Sequence, residues 1–166
     1  MDDFKQDKNK REEPMSFMAR VVSVGFFGGL FWGLVGYFAY YLNLSKIGPG
    51  LILAPWALGK WKSLWLGQLI GVIAISLLSI LVAICYRYLL AKVKSMAGGL
   101  FFGIVLWVIV FYLLHPIFPG LEPMGKIGRN TIATTLSLYI LYGIFVGYSI
   151  SFEYQERQPS KSGEST

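Results

Sequence analysis

The chain has 166 residues, 55% hydrophobic and only 14% charged, with 15 Lys and Arg against nine Asp and Glu for a formal net charge of +6. A hydrophobic share above the globular norm of about 45–50% weighs against an ordinary soluble domain; one cysteine, Cys85, excludes an intrachain disulfide, and one histidine, His115, excludes a multi-histidine metal centre within one chain. The basic residues stand singly beside apolar runs rather than in a block, so the positive balance points to a membrane and not to nucleic acid.

Residues 1–20 hold ten of the 24 acidic and basic side chains and read as a disordered tail, with Arg11 and Arg20 placed to touch anionic lipid. The first span, about 21–42, carries no charge but five glycines, in the run GFFGGLFWGLVG. Its apolar length exceeds the roughly 7–15 residues of a signal-peptide core and no A-x-A-like site follows, so it is expected to remain in the mature protein. Residues 47–62, IGPGLILAPWALGKWK, are too apolar for an aqueous loop, yet their prolines forbid a spanning helix. They are expected in the interface or as a partial re-entrant segment.

The second span, about 64–86, is charge-free with 13 Leu, Ile or Val residues. The third, about 97–118, holds only His115 near its end, and the fourth, about 131–151, is again uncharged but opens on Thr131, Thr134, Thr135 and Ser137. Each has the roughly 20 apolar residues a helix needs to cross hydrocarbon while satisfying its own backbone. Residues 152–166 read as a second disordered tail. The predicted fold is therefore all-α and polytopic, with four transmembrane helices over 21–151. Ten Lys and Arg flank the spans on the side of the termini and five on the other, which predicts both termini cytoplasmic.

GGLFWGLV at 28–35 recurs as GGLFFGIV at 98–105, and over 28–51 eleven of 24 positions are identical 70 residues later. The matches include Gly28/Gly98, Gly29/Gly99, Gly33/Gly103 and the Pro-Gly pairs at 49–50 and 119–120. With four residues fewer in the second copy, Gly67 and Gly71 align with Ala133 and Ser137. The chain thus reads as two repeated helical hairpins related by a pseudo-twofold along the membrane normal.

Without a hydrophobic drive between helices in lipid, association depends on close packing, and small residues four apart allow it. Gly25, Gly29, Gly33 and Gly36 share a sector of the first helix; Gly99 and Gly103 repeat the series in the third, and Gly67/Gly71 and Gly143/Gly147 offer further contacts. The expected partner of the first groove is the third helix, with a homodimer contact as the rival.

No Asp, Glu, Lys or Arg lies inside a span, whereas proton relays and ion-coupled carriers usually place one there. Gln68 reads as an interfacial hydrogen-bonding group, Thr134, Thr135 and Ser137 as hydroxyls bonded back to their own helix rather than lining a cavity, and Cys85 as a small packing residue rather than an acylation site. His115, Glu122 and Lys126 are the one trio that could form an outer polar site, and an ordinary polar rim is the competing reading. No catalytic residue, cofactor or metal is expected, and the chain is not expected to be an enzyme.

The motifs GGLFWG, Pro49-Gly50, GKW at 59–61 and HPIFPG at 115–120 resemble the YqhR family of small conserved membrane proteins from Bacillus-like bacteria. The resemblance covers about Arg20 to Ser151 and implies a bacterial cytoplasmic-membrane protein. It carries over no catalytic or binding residues. The function expected is a non-enzymatic interaction or assembly protein, in contact with membrane lipids and with a second copy or another membrane protein. A small transporter or channel module with a cavity between the hairpins is the alternative.

Overall fold

The computed structural model describes residues 16–56, 59, 64–90, 92–93, 96–113, 115–118, 122 and 125–156. Residues 1–15 and 157–166 of the expected tails lie outside them, as do Lys60, Lys62, Pro119 and Gly120. Among the described residues every regular element is helical: α1 Phe17–Tyr41, α2 Trp65–Leu90, α3 Met96–Val108 and α4 Arg129–Glu156. A short 3-10 turn, Pro49–Leu53, lies between α1 and α2.

The long helices outrun the expected spans. α1 starts a turn before residue 21 because the Ser16 hydroxyl caps it, accepting the Ala19 N–H at 3.2 Å. It ends where Asn43 takes φ 57°, a left-handed conformation that asparagine tolerates. α2 and α4 continue through Arg87 and Glu153, which end an apolar run but not a helix. At 1.5 Å per residue these three helices are about 37–42 Å long, and by length and apolarity each is able to cross a membrane. α3 is shorter. Its α-helical turns stop at Val108, a π-helical turn covers Ile109–Leu113, and a 3-10 turn follows at His115–Ile117.

Large apolar side chains face outward on every helix, among them Phe31, Ile73, Leu77, Phe101 and Phe145. What packs inside is small or hydroxylated. A β-carbon at Gly29 would lie 2.5 Å from Ser79 Cβ and 2.7 Å from Ser76 Cα; one at Gly25 would lie 2.8 Å from Ile80 Cα. Gly33 meets Val72. The glycine groove of α1 is therefore filled by α2, running antiparallel. In the same way Gly99 and Gly103 of α3 press on α4, where a β-carbon at Gly143 would reach 2.5 Å from the Gly99 carbonyl oxygen.

This differs from the expected pairing of the first and third helices. Ser76, Ser79 and Ala83 give α2 a small-residue stripe as accommodating as Gly99 and Gly103, and Gly25, Gly29 and Gly33 of α1 seat on it. α4 closes the bundle by packing on α1 and, less extensively, on α2. One core joins Val21, Ala83, Tyr86, Phe102, Tyr142, Val146 and Ile150 from all four helices. A smaller one gathers Trp107, Phe111 and Ile127 at the end of the bundle where the α1–α2 and α3–α4 connections lie, here called the loop end.

Candidate functional site

Of the polar trio of the sequence, the side chains of Glu122 and Lys126 are among those described. Glu122 and Lys126 are both exposed and form no ion pair with each other. The backbone of His115 opens a 3-10 turn, while its side chain lies outside what is described.

The buried polar groups are concentrated instead along the inner faces. Ser79 Oγ lies 2.6 Å from the Gly25 carbonyl, to which it donates, and 2.6 Å from the Tyr142 hydroxyl, joining α1, α2 and α4 at one point. Trp107 Nε1 donates to Thr135 Oγ1 at 3.2 Å, and Thr135 donates to the Thr131 carbonyl at 2.7 Å. Ser76 and Ser137 bond back to carbonyls four residues earlier in their helices. Thr134 departs from that pattern, reaching the Leu44 carbonyl beyond α1 at 3.2 Å, while Thr131 Oγ1 accepts the Lys46 N–H. These two bonds tie the start of α4 to the end of α1. Hydroxyls in a low-dielectric interior are costly unless satisfied; here some bond within their own helix, while Ser79, Tyr142, Thr131 and Thr134 join separate segments. Trp32 Nε1 is the exception among the described residues, buried without an acceptor.

The apolar segment after α1 folds onto α2. Gln68 Oε1 accepts the Gly50 N–H at 2.8 Å, and both partners are buried. A β-carbon at Gly71 would run into the Pro49 carbonyl, so Gly71 makes room for a loop and not for a helix. Gly71 is six residues into α2, which sets the Pro49-Gly50 turn about 9 Å down the helix from its start. The sequence marked Gln68 as polar and Gly71 as small, but not that they act on the same turn. Of the other glycines, Gly147 meets Gly99 Cα, Gly67 is buried, and Gly36 has only Leu138 of α4 nearby, at 3.9 Å. Gly28, outside the spaced series, is tight against Phe145 at 3.0 Å. Cys85 is exposed.

The opposite end of the bundle carries charge. Arg20 Nε lies 3.5 Å from Glu153 Oε2, with side chains 51% and 11% exposed. The Arg87 guanidinium stands 4.7 Å over the Phe17 ring and 5.5 Å from that of Tyr88, and its Nη1 donates to Met18 Sδ. Between α1 and α4 run two open grooves: one of about 490 Å³ is lined by Phe27, Leu30, Phe31, Leu34 and Phe145; another, of about 460 Å³, lies nearer the loop end between Phe38 and Ser137.

Bulky hydrocarbon outward, hydroxyls and glycines inward, and helices of spanning length define an integral helical membrane protein. The comparisons agree. The family described as "Conserved membrane protein YqhR" matches residues 2–165. A protein of Bacillus subtilis (strain 168) named "Uncharacterized protein YqhR" is 45% identical over 152 residues, covering 92% of this chain and 85% of its own. The chain belongs to the YqhR family. No solved structure matches it.

Proposed function

We propose that this chain is a four-span protein of the bacterial cytoplasmic membrane, with both termini cytoplasmic and two copies of one helical hairpin, acting non-enzymatically as an interaction or assembly protein. The repeat reading is supported by the pairing of helices: Gly29 of α1 packs on α2 at Ser76 and Ser79, and Gly99, 70 residues on, packs on α4 at Gly143. The observation that carries the function is how the polar groups are used. The hydroxyls of Ser79 and Tyr142 join three helices, Thr135 accepts Trp107 of α3, and Ser76 is satisfied within its own helix, while the loop end presents exposed Tyr41, Leu44, Trp56 and Ile117. Trp56, 84% exposed, is the side chain best placed to enter another protein.

The second reading, a small transporter or channel module, is favoured by the π turn at Ile109–Leu113, since such turns recur at functional sites. A photo-crosslinking residue at Trp56 is expected to give a discrete protein adduct in cells, and one at Leu77 on the outer face of α2 none. Adduct-free cells with the probe at Trp56, Leu44 and Ile117 in turn would overturn the assembly reading. Solute flux through liposomes holding the pure protein would favour the second.

A further inference from the structure

We propose that the α1/α4 groove binds one acyl chain of an anionic phospholipid whose phosphate is held at Arg20. At 100° per residue, Phe27, Phe31 and Leu34 lie within about 40° of Arg20 on α1, so the arginine heads the same face that lines the groove. Seven residues separate Arg20 from Phe27, about 10 Å along the helix, which sets the charge at headgroup depth and the rings in hydrocarbon.

Glu153 Oε2 lies 3.5 Å from Arg20 Nε, and with its side chain 51% exposed Arg20 remains open to a phosphate. The charge at this end is not balanced by Glu153 alone. Arg87 rests on Phe17, one turn before Arg20, and the acceptor it finds among the described residues is a thioether, a weak one. Among the described residues this end carries Arg20, Arg87 and Lys92 against Glu153 and Glu156, an excess of one positive charge that favours a headgroup without a cation of its own. A partner helix in the groove would have to bring an acidic residue to the depth of Arg20; a phospholipid carries its phosphate there by construction. The walls suit the chain, for the five side chains lining the groove are all hydrocarbon.

The test is native mass spectrometry of the full chain purified in neutral detergent, with phosphatidylglycerol or phosphatidylcholine of matched chains added. A basic residue near the surface is worth about 1 kcal/mol to an anionic lipid, so the wild type is expected to retain phosphatidylglycerol about fivefold better. Arg20→Gln combined with Glu153→Gln, which removes the charge without stranding the carboxylate, should bring the ratio near one, and Arg20→Lys should restore part of it. Leu30→Trp fills the groove without touching either charge and should lower retention of both lipids. Glycerophosphoglycerol and inorganic phosphate, lacking chains, should not compete. Equal retention of the two lipids by the wild type, a preference unchanged in the double variant, competition by the chain-free headgroup, or lipid displaced by a second copy of the chain would each overturn the proposal. If the double variant fails to fold, Leu30→Trp and the chain-free competitors still decide it.

Discussion

Gly29 and Gly36 lie two turns apart on one helix, and their surroundings differ sharply. A methyl group at Gly29 has nowhere to go between Ser76 and Ser79, whereas at Gly36 it would touch only the end of the Leu138 side chain. Gly29→Ala is therefore expected to cost about 1–3 kcal/mol through overpacking. Gly36→Ala should be neutral or stabilising by up to about 1 kcal/mol, since alanine is the better helix former. Thermal unfolding in detergent, followed by loss of helical circular dichroism, separates the two. Equal midpoints would mean that the α1–α2 contact is looser than described. The glycines announced themselves in the sequence by spacing alone, but spacing does not say which neighbour is close.

Among the elements, the Pro49–Leu53 turn depends most on a single side chain. Replacing Gln68 by leucine leaves the buried Gly50 N–H without an acceptor, a loss of about 1–3 kcal/mol. Amide exchange at Gly50 should accelerate in Gln68→Leu while exchange in the middle of α4 stays slow; unchanged exchange at Gly50 would show that the bond does not hold the turn. The existence of this element was readable, because prolines in an apolar run forbid both a spanning helix and a solvated loop. Its seat on α2 was not, since nothing in the local sequence ties Gly50 to a residue 18 positions later. The long helices were equally plain from their charge-free runs, but their ends were not: Arg87 and Glu153 close an apolar window while remaining good helix residues. Nor did any residue type mark the π turn at 109–113, where Trp107 and Phe111 stack with ring centroids 5.0 Å apart. Pairing was the largest gap. Gly29 fits Gly99 as well as Ser76 in principle, and glycine spacing does not choose between them.

At the scale of the whole molecule, the proposed four spans require both chain ends on one side and both hairpin loops on the other. In a Cys85→Ser background, single cysteines at Trp56 and Glu122, both exposed, should react with an impermeant thiol reagent in intact cells, and one at Lys92, also exposed, only after lysis. If Glu122→Cys and Lys92→Cys behave alike, α3 does not cross the membrane and the three-helix count stands.

The Ser79 hydroxyl has a further consequence for how such a chain is made. It lies between a carbonyl 54 residues before it and a phenol 63 residues after it. As the ribosome delivers the chain in order, the contacts of Gly25, Gly29 and Gly33 with α2 and the Ser79 bond to Gly25 become available before α3 and α4 are made. The phenol of Tyr142 arrives only with the last helix. The α1–α2 pair can therefore form without the rest of the chain, whereas the Ser79–Tyr142 bond can close only once α4 is present.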